Sequence, residues 1–162
     1  ITYKDSEKSE LEIVSSILNN IRTDEEITIE KITSLIINSL DDDILNNYND
    51  YLKTNYTIEE LKNVIVGKKY KISSIDLQIM SEYYKLGFVL ISQPYSKLLK
   101  HDIQIIIDEQ AYSNKKSDTK LLLLYQYDND LIHILKNKEL LANLGDLTSK
   151  LFIKNLTLFE TF

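Results

Sequence analysis

Apolar residues recur every three or four positions through the first half of the chain, a spacing that places them on one face of an α-helix. Five such stretches follow one another, and each is preceded by a residue whose side-chain oxygen can cap the first turn. The five predicted caps are, in chain order, Ser9, Thr28, Asp41, Thr57 and Ser73. Gly67 is predicted to end the fourth helix in the left-handed conformation. The sequence therefore predicts five helices before residue 87.

Short apolar runs of strand length replace the helical spacing after this point. A turn at 128–130 is predicted to join the last two of four strands as a hairpin, and residues 137–144 are predicted to form a C-terminal helix. Residues 148–162 fit either a helix or an extended segment. The four predicted strands are 88–91, 103–107, 121–127 and 131–135.

Helices followed by a small sheet indicate an α+β fold. We expect an α/β/α-like arrangement, with about five N-terminal helices packed on about four strands and a C-terminal helix. The 162 residues contain no internal repeat and no low-complexity linker, so we predict a single domain over 1–162. Because the sequence begins with Ile1, we expect it to be a fragment of a longer chain.

Composition excludes several kinds of chemistry. The chain has no cysteine, and His101 and His133 are its only histidines. A thiolate metal site, an iron–sulfur cluster, a disulfide, a cysteine nucleophile and a multi-histidine metal site are therefore all excluded. Three glycines are too few for a phosphate-binding loop. We expect neither a metal nor a cofactor.

The charge of the chain narrows the range of partners. The formal net charge is −6, and Arg22 is the only arginine. An acidic chain poor in arginine is poorly suited to nucleic acid or to an anionic membrane, and no apolar run is long enough to span a bilayer. We therefore expect no nucleic-acid or membrane partner. The lack of cysteine favours a reducing, intracellular compartment.

Tyrosines on the predicted helices suggest where a protein partner could bind. Tyr48, Tyr51 and Tyr83 lie at helical positions, and tyrosine is enriched at protein interfaces. The alternative for these side chains is a place at the rim of the core. We take the three residues as candidate binding residues.

Two parts of the chain resemble a known protease family. The first comprises 58–65, Lys69-Tyr70, 75–82 and 87–91, and the second is 121–130. Together they resemble OTU-like cysteine proteases, most of all the diverged versions found in large DNA viruses. The resemblance covers roughly residues 5–135. It implies a helix-flanked sheet, ubiquitin as a possible partner, and a cytoplasmic or virion-associated location.

The catalytic residues of that family do not match here. The family opens its first helix with Asp-Gly-x-Cys, whereas this chain has Asp5-Ser-Glu-Lys-Ser9, with Ser9 nearest to the place of the nucleophile. Leu131 stands where the family has its histidine, and His133 follows two residues later. Two residues shift a side chain ~6.6 Å along a strand, too far for a hydrogen bond across an unchanged site. As an alternative, His133 is a structural or surface histidine.

Three functional hypotheses follow. The first is a catalytically inactive OTU-like domain, serving as a protein-binding or structural module in a larger, viral assembly. The second is an unrelated α+β protein-interaction module. The third is an active deubiquitinase-like hydrolase that uses Ser9, His133 and Asp5, with Ser9 as a natural or engineered replacement for the cysteine. The missing thiol and the displaced imidazole favour a protein that is not an enzyme.

Overall fold

A computed structural model describes residues 2–3, 8–22, 24–92, 102–106, 120–127, 130–134 and 141–143. The chain divides into two compact units, a helical one over Asp5–Met80 and a second one formed by Ile1–Lys4 with Ser81–Phe162. Each unit is described by itself below. The single domain over 1–162 stays a prediction.

The five predicted helices are all present, each beginning at the residue after its predicted cap. The side chains of Ser9, Thr28, Asp41 and Thr57 each accept a hydrogen bond from the backbone N–H three residues later. These bonds satisfy N–H groups that have no partner within the helix. The helices are α1 (Glu10–Ile21), α2 (Ile29–Asn38), α3 (Asp42–Leu52), α4 (Ile58–Ile65) and α5 (Ser74–Tyr84).

The predicted apolar faces of α1, α2 and α4 each include buried residues, whereas Tyr48 is the one buried residue of α3. The segment between α1 and α2 is fixed by Asn19, whose side chain binds both the N–H and the carbonyl of Ile27. Asn49 fixes the α3–α4 connection in the same way, since it accepts from the Tyr56 N–H and donates to the Tyr56 carbonyl. The fully buried side chains of this unit include Val14, Ile17, Leu18, Ile27, Ile32, Ile36, Tyr48 and Leu61.

The prediction that Gly67 adopts the left-handed conformation is wrong. No described glycine has a positive φ angle, whereas Lys53 and Lys85 have φ angles of 57° and 56°. After α4 the chain tightens instead, and the Gly67 N–H donates to the Val64 carbonyl at 3.1 Å. This i→i−3 bond satisfies a terminal carbonyl without a left-handed residue.

The second unit contains a mixed sheet. Its strands are β1 (Thr2–Tyr3), β2 (Gly87–Ser92), β3 (Asp102–Ile106), β4 (Lys120–Tyr127), β5 (Asp130–Ile134) and β6 (Ala142–Asn143). The strand order is β1-β5-β4-β2-β3. Strand β2 lies parallel to β4 and antiparallel to β3, and β5 pairs antiparallel with β4 and β1. The central strands β2 and β4 are buried almost throughout, which explains why their sequences are apolar without alternation.

The α+β class, the four predicted strands and the β4–β5 hairpin are thus confirmed. Strand β1 was not predicted, because two residues carry no detectable period. The C-terminal helix predicted over 137–144 is wrong at its described end. There Ala142 and Asn143 form β6 and pair antiparallel with Leu121 and Lys120 at the start of β4. The backbone of β4 therefore pairs with these two residues in place of helical hydrogen bonds. Residues 137–140 and 148–162 lie outside the described residues.

Candidate functional site

Ser9, the candidate nucleophile, is the N-cap of α1. Its Oγ accepts a hydrogen bond from the Glu12 N–H at 3.2 Å, and the residue is only 7% exposed. Its backbone carbonyl begins the helical ladder by accepting from Ile13. The unit to which Ser9 belongs, Asp5–Met80, contains no histidine and no cysteine. Within this unit the Ser9 hydroxyl therefore has a structural partner and no imidazole base.

Of the other two catalytic candidates, His133 and Asp5, the structure describes only His133. His133 is in β5, opposite Leu124 of β4, and is 1% exposed. It belongs to the second unit, whereas Ser9 belongs to the first. Asp5 and His101 lie outside the described residues. Of the two alternatives predicted for His133, a structural or a surface histidine, its burial excludes the surface position.

The three candidate binding tyrosines have different environments. Tyr51 and Tyr83 are 53% and 61% exposed, and Tyr83 packs edge-on against Tyr84 with 5.0 Å between ring centroids. Tyr48 is fully buried. Its burial removes it from any surface in the folded protein, so Tyr51 and Tyr83 are the exposed members of the predicted set.

Tyr48 belongs to a buried cluster around the Asp76 carboxylate. The Tyr48 hydroxyl donates to Oδ1 of Asp76. The Tyr70 hydroxyl, the Ser73 N–H and the Ser73 Oγ all donate to Oδ2, at 2.6, 2.9 and 3.1 Å. The Asp76 N–H in turn donates to Ser73 Oγ at 3.4 Å, which completes a capping box at the predicted cap of α5. Asp76 itself is fully buried.

Burial dominates the protonation of this cluster. Desolvation raises the pKa of the Asp76 carboxyl above its ordinary value, although the hydrogen bonds from Tyr48, Tyr70 and Ser73 act in the opposite direction. Two causes raise the pKa of Tyr48 and of Tyr70. Desolvation is the larger cause, and the neighbouring Asp76 carboxyl is the second. Both hydroxyls therefore keep their protons and act as hydrogen-bond donors at neutral pH.

A second buried carboxylate supports the same turn. Oε1 of Glu10, in the first turn of α1, accepts a hydrogen bond from the Ile72 N–H at 2.8 Å. Glu10 and Asp76 thus bind neighbouring N–H groups, those of Ile72 and Ser73. Both acids face the backbone of their own unit and are closed to solvent, so this geometry serves to hold the start of α5.

Sequence reasoning found only part of this cluster. The Ser73/Asp76 spacing predicts the start of α5, but it carries no sign of the tyrosines. Tyr70 enters only as part of the family resemblance. Glu10 lies in the first turn of α1, where acids are common because they complement the helix dipole, so its position gives no sign of burial.

The helical unit has an open groove with a volume of about 320 Å³. It lies at the first turn of α1, the first two turns of α2 and the end of α4. Ile29, Ile65 and Val66 supply its apolar lining, and Val66 is 60% exposed. Glu12 and Glu30 supply carboxylates. A groove of this kind can accept side chains from a partner.

The described part of the chain shows neither a metal cluster nor a membrane span. Among these residues no three His, Cys, Asp or Glu side chains are grouped so as to hold a metal ion. No helix within the same residues combines the length and apolar character needed to cross a membrane. No protein-family model matches this chain, and neither curated proteins nor solved structures show a significant similarity to it.

Proposed function

We propose that this chain is a catalytically inactive OTU-like domain that serves as a protein-binding or structural module. The observation that carries the proposal is the position of Ser9, the residue nearest to the place of the nucleophile. Its hydroxyl accepts from the Glu12 N–H as a helix cap. No cysteine is available elsewhere to replace it.

The distribution of polar groups supports the same proposal. Glu10 and Asp76 are buried and accept hydrogen bonds from their own unit. Among the described residues, the groove at α1, α2 and α4 and the exposed rings of Tyr51 and Tyr83 face outward. Outward-facing apolar surface beside acids suits contact with another protein. We propose an intracellular setting, in the cytoplasm or in a virion, and ubiquitin as a partner to test.

Incubation of the full chain with isopeptide-linked ubiquitin chains tests the proposal. We expect no release of ubiquitin and no labelling by a ubiquitin-vinyl-type probe, because a nucleophilic thiolate is required and the chain has none. A Ser9→Asn variant is the matched control, since it removes the hydroxyl and keeps a capping side chain. Release of ubiquitin by the natural chain, and not by Ser9→Asn, would overturn the proposal.

The OTU resemblance itself has a separate test. It predicts that the start of the Ser9 helix lies beside the strand that carries His133, which an unrelated α+β interaction module has no reason to share. Because the chain lacks cysteine, a spin label can be attached through Lys8→Cys alone. Broadening of the amide signals of 131–134 would support the resemblance. Unbroadened signals would favour the unrelated module.

A further inference from the structure

The groove of the helical unit combines apolar surface with negative charge. Ile29 begins α2, Ile65 ends α4 and Val66 is the C-cap that follows, so three aliphatic side chains line the groove at the ends of two helices. Ile65 is buried, Ile29 is half-buried and Val66 remains 60% exposed. Burial of the exposed Val66 side chain against a partner would be favourable.

The charge of the groove indicates the character of that partner. Glu12 lies in the first turn of α1 and Glu30 in the first turn of α2, and both line the groove. No lysine, arginine or histidine is among the lining residues. Each glutamate also complements the dipole of its own helix. Because both glutamates line the same groove, they also give it a negative charge. Protein interfaces match opposite charges, so this charge favours a basic partner.

Two of the three hydroxyls that line the groove form hydrogen bonds within the protein, and Ser34 carries the third. Ser9 Oγ accepts from the Glu12 N–H, and Thr33 Oγ1 donates to the Ile29 carbonyl at 2.7 Å. The groove therefore offers a partner its aliphatic side chains and two carboxylates, with small hydroxyls between them. This combination fits a side chain pair of one apolar and one basic residue.

Resting on the proposed protein-binding function, we infer that this groove docks a short segment of a partner protein in which lysine or arginine flanks a bulky apolar residue. The volume of about 320 Å³ is at the lower end of the roughly 300–1,000 Å³ of small-ligand pockets. Such a groove accommodates one or two side chains rather than the face of a helix. The apolar residue contacts Val66 and Ile29, and the basic residue lies against Glu12 or Glu30.

Fluorescence anisotropy with three labelled peptides tests this inference on the full chain. One peptide has the core Lys-Leu-Phe-Lys, the second replaces its lysines by glutamates, and the third replaces Leu-Phe by Ser-Ser. We expect the first to bind at least about tenfold more tightly than either of the others, and its binding to weaken as salt is raised. Equal binding of any two peptides would overturn the inference.

Variants locate the binding. Val66→Ser, and Glu12→Gln combined with Glu30→Gln, should each weaken binding of the first peptide by roughly tenfold. The matched control for charge is Asp42→Asn with Asp43→Asn, which removes two first-turn acids of α3 that do not line the groove. The matched control for apolar surface is Ile105→Ser, since Ile105 is 52% exposed and does not line the groove. Equal weakening by variants and controls would show that binding occurs elsewhere and would overturn the groove assignment.

The two proposals fail in different ways. If the first peptide does not bind and ubiquitin chains stay intact, only the inference of a docking groove is overturned. Release of ubiquitin overturns the proposed function, whatever the peptides do.

Discussion

The Tyr48 hydroxyl donates a hydrogen bond to the Asp76 carboxylate, across 28 positions of sequence and from α3 to α5. Tyr70 donates to the other carboxylate oxygen, at 2.6 Å. The acid in the first turn of α5 thus accepts from Tyr48 of a distant helix as well as from Tyr70, which is only six residues away in sequence. A buried carboxylate is tolerated only when such donors surround it.

Removal of either tyrosine hydroxyl should destabilise the protein. Tyr48→Phe and Tyr70→Phe each leave an Asp76 oxygen short of a buried donor, which should lower the free energy of unfolding by about 1–3 kcal/mol. Urea unfolding followed by circular dichroism measures the change. The control is Tyr83→Phe, which deletes an exposed hydroxyl and keeps the ring. If it costs as much as Tyr48→Phe, the cluster is not the source of the effect.

Alkaline pH should destabilise the fold through the same tyrosines. Their pKa values are raised in the folded state, so the unfolded chain loses these protons first. Stability present below pH ~10 is then lost as the pH rises, by up to about 1.4 kcal/mol per pH unit for each buried tyrosine. Urea titrations from neutral to alkaline pH should show a shallower decline in Tyr48→Phe combined with Tyr70→Phe. An equal decline in that variant would refute the role of the two groups.

Asp76 gives the folded protein a pH dependence on the acidic side. Burial raises the pKa of Asp76 in the folded protein. The contribution of Asp76 to folding stability is therefore fully present below its ordinary pKa of 3.8. This contribution is lost as the pH rises through the raised pKa. Relative to Asp76→Asn, the natural protein should therefore lose stability with rising pH, by at most about 1.4 kcal/mol per pH unit. The measurement is the difference in unfolding free energy between the natural protein and Asp76→Asn as the pH is raised from below 3.8 to neutral.

The opposite slope for Asp76 would mean that the hydrogen bonds outweigh desolvation. Asp76→Asn is a suitable comparison because its amide oxygen can still accept from Ser73 while its NH₂ can donate to a tyrosine oxygen. A constant difference between the two proteins at all pH values would show that Asp76 does not titrate in this range.

Lys53 offers a stabilising substitution. It follows α3 with a φ angle of 57°, a left-handed conformation that strains any residue with a Cβ atom. Lys53→Gly should raise the free energy of unfolding by about 0.5–1 kcal/mol. Asn46→Gly, at an exposed position inside the same helix, should lower it by a few tenths of a kcal/mol. Equal signs for the two substitutions would contradict the assigned backbone strain.

Local signals explain which parts of the fold were predictable from the sequence. Caps such as Thr57, with Glu60 three residues later, specify a helix start within one turn, and both bonds of that capping box are present. Strand β4 was recognisable because a continuous apolar run indicates burial on both faces. Ala142 and Asn143 carry no such signal, since the backbone of β4 decides their pairing.

The candidate site was less predictable because it depends on tertiary contacts. Tyr48 has the same helical spacing as exposed Tyr51, so sequence could not tell a buried donor from a surface ring. The groove joins residues of α1, α2 and α4, whose convergence no local pattern encodes. Ser9 was found by its cap position, and only the structure supplies its hydrogen-bond partner.

We propose that the hydroxyl at position 9 serves the fold rather than a reaction, and paired substitutions test this most directly. Ser9→Ala should lower the free energy of unfolding by about 1 kcal/mol, and Ser9→Asn, which caps without a nucleophilic hydroxyl, should stay within about 0.5 kcal/mol of the natural protein. Urea unfolding of the three proteins gives the answer. If Ser9→Ala is as stable as the natural chain, or Ser9→Asn falls as far as Ser9→Ala, the hydroxyl is not serving as a cap.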